Sequence, residues 1–111
     1  MGAASALLLA QNGAKVAISG RREENLRDIS SKSSSGPPLH FKPADIADRE
    51  SLKRLFDWFD GELGNLDILV NAAGINVPNR AIGELSGEDW DAVVKTNLTG
   101  AFDCIKLPLT E

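Results

Sequence analysis

The stretch Leu66-Asp67-Ile68-Leu69-Val70-Asn71-Ala72-Ala73-Gly74 decides the fold of this chain. Its first five residues form a short apolar run with β-branched side chains, as in a strand that is covered on both faces. Such strands belong to parallel sheets, in which ligands bind beyond the carboxyl ends of the strands. The small residues 71–74 stand at that end. The stretch therefore predicts a parallel strand, over residues 66–70, that ends at a ligand site.

The sequence on either side of this strand alternates between helical and strand patterns. Residues 2–12 are rich in Ala and Leu, the best helix formers, and residues 14–19 and 39–42 are short apolar runs that predict two more strands. A helix capped by Asp48 precedes the decisive stretch, and a last helix is predicted to run from about Ser86 until Pro108 stops it. This alternation predicts an α/β fold with a doubly wound parallel sheet.

Composition limits the kind of partner. The 111 residues suit one domain, and their net charge of −4 argues against nucleic acid as a partner. The longest apolar run, residues 6–10, is far shorter than the ~20 residues that span a membrane. The single cysteine, Cys104, has no neighbour at metal-ligand spacing, so we expect it to be buried and the chain to bind no metal. A cytoplasmic location is the expectation.

Several short motifs follow one another along the chain, and their order is informative. Gly2-Ala3-Ala4 opens the first helix, Asn12-Gly13-Ala14-Lys15-Val16 leads into a strand, and Asp45-Ile46, Asn71-Ala72-Ala73-Gly74 and Thr96-Asn97 follow. Together they resemble the short-chain dehydrogenase/reductase family. The resemblance implies a partial NAD(P)-binding Rossmann domain over residues 1–111, without the family's first strand and C-terminal half. It also implies oxidoreductase chemistry, a hydride transfer between a nicotinamide cofactor and a small alcohol or carbonyl substrate.

The resemblance assigns cofactor-binding roles to particular residues. Gly2 matches the last glycine of the turn that lets the backbone approach the cofactor pyrophosphate. Asp45 matches the carboxylate that accepts from the adenine amino group, with Ile46 packed on the ring. Asn71, Ala72, Ala73 and Gly74 would pass beside the adenosine ribose, although the family more often has Asn at the place of Ala72. The alternatives are a flexible terminal Gly2 and an Asp45 that merely caps a turn.

The choice of cofactor depends on the end of the strand at residues 14–19. An acidic side chain there would bind the ribose hydroxyls of NAD, whereas a basic one would meet the 2′-phosphate of NADP. Here Gly20 takes the acidic position and Arg21-Arg22 follow. Because guanidinium groups bind phosphate through forked, charge-assisted hydrogen bonds, we expect NADP(H), with NAD as the alternative. A solvated arginine pair beside Glu23 and Glu24 is the other interpretation.

Only one residue of this chain, Asn97, matches a catalytic residue of the family. In the family, the asparagine that matches Asn97 is catalytic, because its main-chain carbonyl holds a water in a proton relay. The family's catalytic serine, tyrosine and lysine have no counterparts here, and the chain contains no tyrosine. We therefore expect residues 1–111 to be inactive alone, and whether this chain acts as an enzyme stays open.

Two expectations concern assembly. In the family the helix of Asn97 lies at the oligomer interface, so a homo-oligomer is expected through it. The alternative is a truncated, non-catalytic protein that pairs with a full-length relative. The family's first strand lies between those matching residues 16–18 and 68–70, so both segments would face a gap with an unpaired backbone edge. The isolated chain is therefore expected to be unstable or prone to aggregation.

Overall fold

The computed structural model describes residues 2–33, 36–74, 78 and 81–109. These residues form an α/β fold, as the sequence predicts. Its elements in chain order are α1 (Gly2–Gln11), β1 (Ala17–Gly20), α2 (Glu23–Ser31), β2 (His40–Pro43), α3 (Arg49–Leu63), α4 (Gly87–Val93), a π-helical segment (Val94–Thr99) and α5 (Gly100–Leu109).

The sheet consists of β1 and β2, which run parallel, with Ala17 opposite His40 and Gly20 opposite Pro43. The chain crosses from one strand to the other through α2, whose Leu26 is buried. The parallel pairing confirms the sequence prediction for these two strands.

Turns and caps place the helices as their sequences predict. Gly13 follows α1 with φ 94°, a left-handed conformation that glycine adopts without strain. The Asp48 side chain accepts hydrogen bonds from the main-chain N–H groups of Glu50 and Ser51 at the start of α3. These contacts satisfy backbone groups that a helix end otherwise leaves unpaired.

The core forms where α3 meets α5. Leu52 is fully buried there, together with Phe56 and Cys104. The prediction that Cys104 is buried is confirmed, and burial, followed by the nearby negative charge of Asp103, raises the pKa of its thiol. Cys104 is thus an apolar core residue rather than a reactive thiolate.

An ion pair also joins the two helices. Arg49 Nε of α3 lies 3.0 Å from Asp103 Oδ2 of α5, and Asp103 is only 7% exposed. A buried carboxylate needs such a partner because burial removes its hydration. The pair therefore holds α5 against the start of α3.

A close helix contact lies near this pair. A Cβ added to Gly100, the first residue of α5, would stand 3.0 Å from Ile46 Cδ1 and 3.1 Å from the Ile46 carbonyl oxygen. The absence of a side chain at Gly100 thus lets α5 approach the loop that follows β2. A Cβ at Gly61 of α3, in contrast, would meet nothing within 4 Å.

The prediction of a strand at residues 66–70 is wrong. No strand is assigned there, and Ile68 and Val70 are 70% and 54% exposed. A strand exists only through hydrogen bonds to a neighbour. The sheet consists of β1 and β2, and no described strand pairs with residues 66–70.

The last helix also differs from its prediction. It begins as predicted, with Ser86 Oγ accepting from the Asp89 N–H at 3.1 Å. However, the π-helical segment Val94–Thr99 interrupts it, and Pro108 lies inside α5 rather than ending it. Proline is tolerated so close to the helix end because it removes only one of the last hydrogen bonds.

The Arg49 pair predicts a stability effect. Replacing Arg49 with alanine leaves the Asp103 carboxylate buried without this partner, which should lower the free energy of unfolding by about 1–3 kcal/mol. Urea unfolding measures the loss. Arg54→Ala, which removes the same charge from an exposed position of α3, should change stability by less than about 0.5 kcal/mol. Equal losses in both variants would contradict the role of the ion pair.

The two helical glycines predict opposite effects of one substitution. Gly61→Ala should stabilise the fold by about 0.5–1 kcal/mol, because alanine is the better helix former and the space is open. Gly100→Ala should destabilise it, since overpacking costs about 1–3 kcal/mol and outweighs that gain. Thermal melts of the two variants beside the parent chain give the comparison. A rise in Tm for Gly100→Ala would show that the contact with Ile46 is loose.

Candidate functional site

One groove of about 740 Å³ runs between β1 and residues 65–74. Helices α1, α2 and α3 also contribute to its lining, which is mostly apolar. The groove brings together eight of the residues that the sequence predicts to bind a cofactor. These are Gly2, Arg21, Asp45, Ile46, Asn71, Ala72, Ala73 and Gly74. The ninth, Arg22, lies with Arg21 in an adjoining groove of about 670 Å³.

Gly2 opens α1 at this groove and lies against Ala72. A Cβ at Gly2 would stand 3.3 Å from the Ala72 methyl group, which is tighter than ordinary van der Waals contact. The glycine thus permits close approach between the first turn of α1 and residues 71–74. The contact also gives Ala72, the departure from the family's usual asparagine, a packing role.

Asp45 and Ile46 follow β2 and are both half-buried. Asp45 is held by two hydrogen bonds: its N–H donates to Ser51 Oγ at 2.9 Å, and its Oδ1 accepts from the Ala47 N–H at 3.0 Å. Asp45 therefore caps a turn, as the alternative interpretation of this residue predicted. The bond to Ala47 also fixes the direction of the carboxylate, while Ile46 is fixed by its contact with α5.

The second groove is lined by side chains of both charges. Beside Arg21 and Arg22 it contains Glu23, Glu24, Arg27, Asp28 and Ser31. Arg27 bonds Glu23 at 3.3 Å and lies 5.5 Å from the centre of the Phe41 ring, so part of its charge is already paired. A Cβ at Gly20 would lie 3.6 Å from Leu26 Cδ2, an ordinary contact distance. Packing therefore does not require glycine at position 20.

Asn97 lies within the π-helical segment and close to Gly74. A Cβ at Gly74 would stand 3.4 Å from Asn97 Oδ1, so the amide side chain lies directly against that glycine. π-Helical turns inside α-helices are rare and occur often at functional sites. The structure thus places the predicted catalytic residue beside the predicted cofactor turn.

The sequence did not identify Gly100 as a residue of this region, and it gave Thr96 no role beyond its place in the Thr96-Asn97 motif. Thr96 lines the groove, and Gly100 makes room for Ile46. A glycine in the middle of a predicted helix is a signal of close packing, which could have identified Gly100. The place of Thr96 in the groove could not be predicted from its motif, because it depends on how the whole helix docks.

Two features are absent from the part of the chain that the structure describes. None of its helices is long and apolar enough to cross a membrane. Within the same residues, no group of three or more His, Cys, Asp or Glu side chains is placed to hold a metal ion.

Known proteins resemble this chain along almost its whole length. A 3beta-hydroxysteroid dehydrogenase of Mediterraneibacter gnavus is 32% identical over 107 residues, which cover 96% of this chain and 39% of that protein. A 3-oxoacyl-[acyl-carrier-protein] reductase FabG of Thermotoga maritima is 35% identical over 109 residues, covering 96% of this chain and 44% of that protein. The chain therefore spans about two fifths of the length of the curated relatives it matches.

Solved structures agree on the fold. The serine dehydrogenase of Escherichia coli superposes with a TM-score of 0.83 at 28% identity, over 99% of this chain and 51% of that one. Levodione reductase gives a TM-score of 0.92 over 98% of this chain and 43% of its own, and at 24% identity it supports the fold alone. The model of one family, described as short chain dehydrogenase, matches all of residues 1–111. The chain therefore belongs to the short chain dehydrogenase family.

Proposed function

We propose that residues 1–111 form the adenosine side of an NADP(H) site in a cytoplasmic oxidoreductase that interconverts alcohols and carbonyl compounds. The observation that carries the proposal is the single groove that collects residues from four separate segments of the chain. They are Gly2 of α1, Arg21 after β1, Asp45 and Ile46 after β2, and residues 71–74. A shared groove is what one extended ligand requires.

The residues present fit such a cofactor. Because Gly2 has no side chain, the first turn of α1 lies close to residues 71–74, where an added Cβ would stand 3.3 Å from Ala72 Cβ. Gly2 at the first turn of α1 would receive the pyrophosphate, because a helix N-terminus favours negative charge. When bound, the nicotinamide ring gives or takes a hydride at the substrate carbon.

The adenosine end would be held by three kinds of group. The Asp45 carboxylate, oriented by Ala47, would accept from the adenine amino group while Ile46 packs on the ring. Asn71, Ala72, Ala73 and Gly74 would pass beside the ribose. Arg21 and Arg22 would bind the 2′-phosphate, because Gly20 presents no carboxylate to repel it.

Asn97 would act at the catalytic end. Its contact with Gly74 holds the π-helical segment against the cofactor turn, and its main-chain carbonyl would hold the water of a proton relay. Residues 1–111 contain no tyrosine, so the general acid/base of this family is not supplied within them. The 111-residue chain therefore recognises the cofactor as a partial Rossmann domain and does not catalyse the reaction alone.

The proposed role of Arg21 is tested with a ligand that contains only the adenosine end. Adenosine 2′,5′-bisphosphate should bind more tightly than adenosine 5′-phosphate, and Arg21→Ser should remove most of that preference. A charge-assisted hydrogen bond is worth about 1.5–3 kcal/mol, so the expected loss for the bisphosphate is about tenfold or more. Calorimetric titration of the parent chain and the variant measures it.

The matched control is Arg54→Ser, which removes one positive charge from α3, outside both grooves. It should leave both affinities within about twofold of the parent chain, because exposed charges act weakly at a distance. Equal binding of the two nucleotides by the parent chain would refute the NADP(H) preference. Failure to bind either nucleotide would refute the adenosine site itself.

A second candidate function is pairing through the helix that carries Asn97. Four apolar side chains at helical spacing are exposed on one face of this helix. They are Leu98, Phe102, Ile105 and Leu109. An apolar face of this kind is typical of a protein interface. It fits a homo-oligomer, and it equally fits a non-catalytic chain that pairs with a full-length relative.

A charge in this face should prevent pairing. Phe102→Glu is expected to convert a dimer into a monomer, because the carboxylate would be buried in an apolar interface. Sedimentation velocity measures the change, and Ile82→Glu, at an exposed position outside the helix, should leave the dimer intact. Co-purification of the parent chain with a full-length family member, lost in Phe102→Glu, would favour the second candidate. A parent chain that is monomeric at every concentration would contradict self-pairing.

A further inference from the structure

Asp45 is held by three hydrogen bonds around the loop that joins β2 to α3. Its N–H donates to Ser51 Oγ at 2.9 Å, and its Oδ1 accepts from the Ala47 N–H at 3.0 Å. Its carbonyl accepts from the Asp48 N–H at 3.0 Å. Ala47 and Asp48 precede the first residue of α3, whereas Ser51 lies within that helix. Of these three bonds, the one to Ser51 therefore ties Asp45 to the body of α3.

Ser51 projects from a part of α3 that packing and capping both hold in place. It lies in the first turn, where the Asp48 side chain accepts from its N–H and from that of Glu50. The next residue, Leu52, is fully buried in the core. The helix at Ser51 is thus fixed, and its hydroxyl oxygen offers the Asp45 N–H an acceptor at a defined position.

The two residues stand in different relations to a ligand. Asp45 lines the larger groove, whereas Ser51 lines neither groove. An ionised carboxylate has about four lone-pair sites, so the bond from Ala47 leaves Asp45 able to accept from a ligand as well. A ligand in the groove would therefore contact Asp45 directly and depend on Ser51 only through it.

We propose that Ser51 is a positioning residue of the adenine subsite, whose hydroxyl holds the Asp45 main chain so that the carboxylate meets the amino group of the base. The proposal rests on the proposed function, in which Asp45 accepts from that group. Two bonds act in series: Ala47 fixes the carboxylate relative to the loop, and Ser51 fixes the loop relative to α3. Without the Ser51 hydroxyl the first bond remains, but the carboxylate no longer meets the base at a defined distance.

The loop should stay docked when that hydroxyl is removed. Ile46, the next residue, lies against Gly100 of α5, and the Ala44 N–H donates to the Gly20 carbonyl at 2.9 Å. Both contacts are independent of Ser51. The change is therefore expected to alter the direction of the Asp45 carboxylate rather than the course of the chain.

A comparison of two bases isolates this effect. Hypoxanthine carries a carbonyl oxygen where adenine carries its amino group, so a carboxylate that accepts from adenine repels hypoxanthine at the same position. Adenosine 5′-phosphate and inosine 5′-phosphate have the same ribose and the same phosphate. The ratio of their dissociation constants therefore reports on the position of the Asp45 carboxylate.

Calorimetric titration of the parent chain should show adenosine 5′-phosphate binding about tenfold or more tightly than inosine 5′-phosphate, because a hydrogen bond to a charged group is exchanged for a repulsion. Ser51→Ala should reduce this ratio to about twofold, mainly by weakening the adenosine nucleotide. Ser51→Thr keeps a hydroxyl at the same position and should retain the parent ratio.

Two further variants complete the comparison. Ser86→Ala is the matched control, because Ser86 Oγ also accepts a main-chain N–H at a helix start, that of Asp89 at 3.1 Å, and lies outside both grooves. It should leave the ratio unchanged. Asp45→Asn replaces the carboxylate with an amide that can accept from adenine and donate to hypoxanthine, so the ratio should fall to about one.

The outcomes separate this proposal from the proposed function. A Ser51→Ala chain that keeps the parent ratio, or that loses affinity for both nucleotides equally, would overturn the positioning role and leave the adenosine site standing. A parent chain without any preference, and an Asp45→Asn chain that binds both nucleotides as the parent does, would refute Asp45 as the adenine contact and the positioning role with it.

If Ser51→Ala does not fold, the parent chain still decides. At equal occupancy, adenosine 5′-phosphate should slow amide exchange at Asp45 more than inosine 5′-phosphate does, because a ligand that engages the carboxylate also restricts the N–H bonded to Ser51. Equal protection by the two nucleotides would overturn the proposal.

Discussion

The hydrogen bonds between β1 and β2 are the interaction on which the position of the candidate site depends. These bonds fix the positions of Gly20 and Ala44, and through them the start of the loops that carry Arg21 and Asp45. Residues 71–74 reach the same groove through tertiary packing, including the close approach of Gly2 to Ala72. The site thus combines residues placed by strand pairing with residues placed by packing.

Several elements could be predicted from sequence because their signals are local. Asp48 caps α3, Ser86 caps α4, and Gly13 ends α1, each through a contact that spans only a few residues. The parallel strands β1 and β2 follow from short apolar runs separated by a helix. The buried state of Cys104 follows from its place among apolar residues. None of these features requires knowledge of distant parts of the chain.

The features that sequence misplaced are those that depend on distant partners. Residues 66–70 have the clearest strand pattern in the chain, yet they form no strand, because pairing needs a neighbour and not only a propensity. The π-helical segment around Asn97 and the proline inside α5 likewise depend on how the helix docks against α3 and Ile46. The candidate site shows the same division. Its residues were proposed from motifs, whereas the contacts of Gly74 with Asn97 and of Ile46 with Gly100 are tertiary and have no local signal.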